Sequence, residues 1–145
     1  QSLEFPYGNF RQGQRDLAVS VYNMIQNRDQ LLVEAPTGIG KTMATLFPSI
    51  KAMGEGLVSG IYYATGRGTQ KQIAQEAYDL LVSNGLHLRA LILTAKEKLC
   101  LNDEVHCHPD FCPYAKGHFD RVGPAILYLL ENRQKVTDQD LEVCG

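Results

Sequence analysis

The run Ala35-Pro36-Thr37-Gly38-Ile39-Gly40-Lys41-Thr42 sets small, turn-forming residues before a lysine and a hydroxyl at fixed spacing. It meets the phosphate-loop pattern G-x-x-x-x-G-K-[ST], with Ala35 in place of the first glycine. Gly38 and Gly40 let the backbone turn its N–H groups inward, where they cradle phosphate oxygens at a helix N-terminus. In that chemistry Lys41 neutralises the β- and γ-phosphates and the Thr42 hydroxyl ligates magnesium, while Thr37 caps the loop locally. A nucleoside triphosphate with its Mg2+ is the expected ligand of residues 35–42. Hydrolysis also needs an acidic pair at the end of a later strand, and no apolar strand after Lys41 ends in Asp-Glu. The chain alone is expected to grip a triphosphate without hydrolysing it.

A second group of residues could do metal chemistry. Cys100, Cys107, Cys112 and Cys144 all lie in the last third, spaced C-x6-C-x4-C-x31-C. Thiolates are soft ligands, and four complete either a zinc site or an iron–sulfur cluster. Zinc sites favour two tight pairs and only Cys107 and Cys112 are close, so spacing leaves zinc, a cluster and unligated cysteines all open. His106, His108 and His118 lie nearby; solvated surface histidine is the plainer reading, and they are left out of the ligand set.

The elements that must position these groups follow from periodicity. Leu17, Val21, Met24 and Ile25 recur at helical spacing between residues 11 and 26. Residues 30–34 read as a short buried strand, and a helix after the phosphate loop runs until Gly54 and Gly56 stop it. Residues 61–64 form a second expected strand, with Tyr62 and Tyr63 packed mid-strand. Ile73, Ala77, Leu80 and Leu81 mark a helix that Asn84-Gly85 closes, and residues 88–93 are a third strand. Alternation of this kind implies βαβ units, that is, an α/β fold with a parallel sheet flanked by helices. After Ala95 strand signals vanish. A helix carrying Phe119, Val122, Ile126, Leu129 and Leu130 on one face follows, and Thr137 with Asp140 resembles a capping box starting a last helix that bears Cys144. A boundary is expected near Lys96, dividing residues 1–95 from 96–145.

Composition narrows the class. The chain has 145 residues, 44% hydrophobic and 21% charged, which is ordinary for a folded soluble domain. No apolar run approaches the roughly 20 residues that span a bilayer, and no secretory leader pattern appears, so a cytoplasmic location is expected. The net charge of -2 gives no global case for a polyanionic partner, so any nucleic-acid surface must be local. Gln1, in place of a methionine, suggests an excised piece.

Four segments together resemble the iron–sulfur DNA helicases of superfamily two, the DinG and XPD proteins, over nearly the whole chain. They are FRQGQRDL, LLVEAPTGIGKT, IYYATGRGTQKQIAQEA and LTAKEKLCLNDEVHCHPDFCPYAKG, the last being the most specific and closest to bacterial DinG-like members. The resemblance implies a RecA-like parallel sheet in residues 1–95, holding ATP and Mg2+, followed by the start of a mainly helical cluster domain in 96–145. It implies a [4Fe-4S] cluster on Cys100, Cys107, Cys112 and Cys144, with Zn2+ as the alternative at that site. It gives Gln14 an adenine-reading role, with Arg11 nearby as a weaker candidate; an exposed helix residue is the plainer reading of Gln14. The motif that grips single-stranded DNA corresponds to residues 65–70, giving Thr65, Arg67, Thr69 and Gln70 as contacts, although Gly66 stands where a basic residue is frequent. The function implied is ATP-driven translocation on single-stranded DNA and duplex unwinding, in a protein of which this chain is one part. Two alternatives are a zinc-stabilised nucleotide-binding module that unwinds nothing and a helicase-like nuclease component.

Overall fold

The structure, a computed structural model, describes residues 4–143. The chain divides into two compact units, Gln1–His87 and Leu88–Gly145.

In the first unit, helix α1 (Gln14–Asn27) buries Leu17, Ala18 and Val21, the face that the apolar spacing predicts. Arg28 ends it in the left-handed conformation (φ 56°), donating its N–H to the Ile25 carbonyl. Helix α2 (Lys41–Gly54) begins where Gly40 (φ 82°) turns the chain, and stops before the positive-φ Gly56. Leu17, Ala18 and Val21 pack against Ala44 of α2, and Phe10, Met24, Ile25 and Ile39 close over that cluster. Burying one such leucine or valine contributes about 1.5–3 kcal/mol. Ile39 therefore ties the phosphate loop itself to the α1–α2 core. Ahead of α1, Phe5 stacks on Phe10 with centroids 3.8 Å apart and meets Phe47 of α2 edge-on at 5.4 Å. This aromatic cluster anchors the chain just before Arg11. Helix α3 (Gly68–Ser83) buries Ala77, Tyr78 and Leu81, and Gly85 (φ 91°) turns the chain so that the Leu86 N–H returns to the Leu81 carbonyl.

The sheet differs from expectation. Among the described residues, neither 30–34 nor 61–64 forms a strand. A parallel strand exists only through a hydrogen-bonded neighbour, and strands of a parallel sheet are covered on both faces. Here Leu32 and Tyr62 are fully exposed and Tyr63 is exposed too, so the expected mid-strand packing of the tyrosines is corrected.

In the second unit, β1 (Ala90–Leu91) is all that forms of the third expected strand. It is followed by the short helix α4 (Lys96–Leu99), α5 (His118–Asn132), β2 (Lys135–Val136) and α6 (Asp138–Val143). The two strands pair in parallel, Ala90 opposite Lys135 and Leu91 opposite Val136. The Ile92 N–H reaches the Val136 carbonyl at 2.9 Å, and the Ala90 N–H reaches the Gln134 carbonyl at 3.0 Å. Strand β2 was not legible in the sequence. Its pairing holds Ala90 and Leu91 in the same compact unit, Leu88–Gly145, as α5 and α6. The α6 capping box forms as its spacing predicts: the Asp140 carboxylate accepts from both the N–H and the hydroxyl of Thr137 at 2.9 Å. No helix among the described residues is long and apolar enough to cross a membrane.

Candidate nucleotide site and cysteine segment

The phosphate loop connects residue 34 to the first turn of α2. Gly38 (φ 88°) and Gly40 (φ 82°) both adopt the left-handed conformation that glycine takes at no steric cost. Successive turns of this kind leave backbone N–H groups facing a common concavity at the start of a helix. Lys41 folds back over the loop, its Nζ donating to the Ala35 and Pro36 carbonyls, each at 2.9 Å. The ammonium thus lies across the mouth of the loop, where an incoming phosphate would replace two neutral acceptors with charged ones. Thr42 stands in the first turn of α2 and lines a cleft of about 230 Å³ together with Tyr7, Arg11, Gln14, Gly40 and Glu76. A second hollow of about 550 Å³ runs between Gly13, Asp16 and Leu17 of the α1 start and residues 33–36 of the loop approach. Loop glycines, cation and hydroxyl are together, so the residues present fit a magnesium triphosphate.

Arg11 and Gln14 hydrogen-bond the backbone of this loop. The Arg11 guanidinium donates to the Gly38 carbonyl at 2.7 Å. Gln14 is buried, 2% exposed, which corrects the reading of it as an exposed helix residue. Its Nε2 donates to the Gly40 carbonyl at 3.2 Å and its Oε1 accepts the Arg11 N–H at 3.0 Å. Helical spacing could not reveal these bonds, because Arg11 and Gln14 are 27 and 26 residues from the carbonyls they hold.

Thr65, Arg67, Thr69 and Gln70 lie together at the entry to α3. Arg67 is its N-cap residue, and its carbonyl accepts the N–H groups of Gln70 and Lys71. The Thr65 hydroxyl donates to the Arg67 carbonyl at 3.4 Å. Arg67, Thr69 and Gln70 are exposed, a placement open to a strand of nucleic acid.

In the cysteine segment, Cys112 is buried, Cys100 half-buried and Cys107 exposed. The Ala115 N–H directed at its sulfur holds the Cys112 thiol below the usual range; Asn102 Nδ2 donates to the same sulfur at 3.3 Å, and burial opposes the shift. Among the described residues no three His, Cys, Asp or Glu side chains converge on a metal position, and Cys144 lies outside them. As placed, then, the three described cysteines do not form a ligand set for a cluster or for zinc. His106 faces Glu104 at 3.3 Å and His108 faces Asp110 at 3.4 Å, all largely exposed.

A glycine-hinged loop with its lysine at the head of a helix defines a nucleotide-binding module of the phosphate-loop class. The chain belongs to the DEAD/DEAH box helicase family, whose model matches residues 15–119. That membership implies a RecA-like fold, of which the loop, α1, α2 and α3 are the parts formed here. The chain is also 43% identical, over 47 residues, to a probable ATP-dependent helicase of Methanocaldococcus jannaschii. That match covers 32% of this chain and spans 7% of the relative's length. No solved structure matches the chain.

Proposed function

We propose that this chain is the nucleotide-gripping part of an ATP-dependent DNA helicase of the iron–sulfur, DinG/XPD type. Residues 1–95 contribute to the first motor domain, and 96–145 begin a cluster-bearing domain. The observation that carries the nucleotide half is the Lys41 ammonium lying over a loop whose Gly38 and Gly40 are both left-handed. Lys41 and the loop N–H groups bind the triphosphate, and Thr42 holds the Mg2+ that screens its charge. The half-buried Thr65 and the exposed Arg67, Thr69 and Gln70 supply hydroxyl, amide and cationic donors suited to the phosphates of single-stranded DNA. Such a protein works in the cytoplasm.

Support for the cluster rests on the spacing and resemblance of Cys100, Cys107, Cys112 and Cys144, not on their convergence, and no step of the mechanism passes through it. In the intact protein, Lys41→Ala should abolish triphosphate binding measured by calorimetry; unchanged affinity would remove the basis of the nucleotide reading. Anaerobically purified intact protein should contain iron and sulfide, and Cys112→Ser should lose both. Stoichiometric zinc without iron, in protein never exposed to oxygen, would replace the cluster with a zinc-stabilised module.

A further inference from the structure

Among the described residues the cysteines do not converge, yet one of them is held differently from the others. Cys112 is 5% exposed, whereas Cys100 is half-buried and Cys107 is exposed. A local frame of hydrogen bonds surrounds it. The N–H groups of Phe111 and Cys112 return to the His108 carbonyl at 3.1 and 2.9 Å, and those of Ala115 and Lys116 return to the Cys112 carbonyl, each at 3.1 Å. Asn102 Nδ2 donates to the Cys112 sulfur at 3.3 Å. Gly117 (φ 69°) then turns the chain into α5. Across that turn the Arg121 guanidinium reaches back, Nη1 donating to the Lys116 carbonyl at 2.7 Å and Nη2 to the Tyr114 carbonyl at 3.1 Å. A peptide unit is planar, so fixing the Tyr114 carbonyl also fixes the Ala115 N–H that turns back on Cys112. A planar fork on two carbonyls sets their orientation as well as their distance, which a single ammonium cannot do. The fit is close: a side-chain carbon added at Gly117 would lie 3.1 Å from Arg121 Nη1.

We propose that Arg121 is a positioning residue for the Cys112 corner of the cysteine site. Through the turn at 114–117 it holds one sulfur in place before any metal is bound, and the other cysteines are drawn to that sulfur as the site fills. The proposal rests on the metal-site reading of the cysteines above and deepens it. Metal binding to thiolates is coupled to the ordering of the chain that carries them. One caged sulfur beside more open ones is the arrangement expected of a site assembled from a single fixed corner.

The test uses the intact protein, reduced and stripped of metal without oxygen, with Co2+ as the probe. Before Co2+ is added, alkylation by iodoacetamide should modify the exposed Cys107 about ten times faster than the buried Cys112, as read by peptide mass spectrometry. Equal rates would overturn the proposal, and this measurement on the unsubstituted protein is independent of any folding defect in a variant. Arg121→Ala should raise the Cys112 rate and weaken Co2+ binding, each by about ten-fold, the effect of losing a two-pronged hydrogen bond from a charged group. Thiolate-to-cobalt charge-transfer absorbance reports the binding, and either quantity left unchanged would sink the positioning role. Arg121→Lys keeps the charge but cannot bridge both carbonyls, so it should recover little; full recovery would make the charge rather than the fork responsible and refute the proposal. Amide exchange in the second half of α5 should stay the same in Arg121→Ala, and a loss of protection there would reduce Arg121 to a residue of helix stability. The two levels separate cleanly. Absence of a thiolate–cobalt band in the unsubstituted protein would refute the metal-site reading itself, whereas a band indifferent to Arg121 would refute only the proposal.

Discussion

Alanine at Gly40 and alanine at Gly38 should differ in cost, and the difference measures the grip of Gln14. Both glycines have left-handed φ, 82° and 88°, where a β-carbon costs about 1–2 kcal/mol. At Gly38 nothing lies within 4 Å of the added carbon, so that cost is the whole effect. At Gly40 the carbon displaces the Gln14 amide, which must release the Gly40 carbonyl and the Arg11 N–H. Each of these bonds contributes about 0.5–1.5 kcal/mol net. Gly40→Ala should therefore cost about 2–5 kcal/mol, roughly 1–3 more than Gly38→Ala. Amide exchange in peptides spanning α1 and α2 reports this locally, without requiring the two units to unfold together. In a Gln14→Ala background the excess should vanish, as a double-mutant cycle requires when two positions act through one contact. Equal costs at the two glycines, or an excess that persists without Gln14, would refute the reasoning.

Other outcomes follow from particular contacts. Leu81 is 0% exposed in the packing of α3, so Leu81→Ala should lower the stability of the first unit by about 2–5 kcal/mol; a loss below about 1 kcal/mol in urea titrations would contradict that burial. Tyr62→Ser should change stability by less than about 0.5 kcal/mol, because the ring is fully exposed, and a larger loss would restore the buried strand expected from sequence. The Thr137 N–H and hydroxyl, with Arg133 assisting, hold the Asp140 carboxyl below the usual aspartate range. Its stabilisation of the α6 start is present above the unfolded value of about 3.9 and is lost as pH falls through the lower folded value. Exchange protection in α6 should therefore drop below about pH 4 in the native chain and show no such step in Asp140→Asn.

Local signals in the sequence reached far. The phosphate loop needs only glycines, a lysine and a hydroxyl at set intervals, so it could be read from eight residues. Helices α1, α2, α3 and α5 announced themselves through apolar spacing and the glycines or caps at their ends, because helical hydrogen bonds join near neighbours. The Thr137–Asp140 cap is likewise a contact across three residues.

What the sequence could not fix are the contacts made across long stretches of chain. An apolar run such as residues 30–34 or 61–64 becomes a strand only beside a partner, and Leu32 and Tyr62 here face solvent instead. Strand β2 is two residues long, too short for alternation to show, and exists because residues 90–91 lie alongside it. Gln14 carried a helical position and a family resemblance in the sequence. Only the fold, by setting it against Gly40, turned it into a buried amide bonded to the loop. Residue type and spacing thus determined that a phosphate could be bound, whereas packing between distant segments decided what holds the binding loop in place.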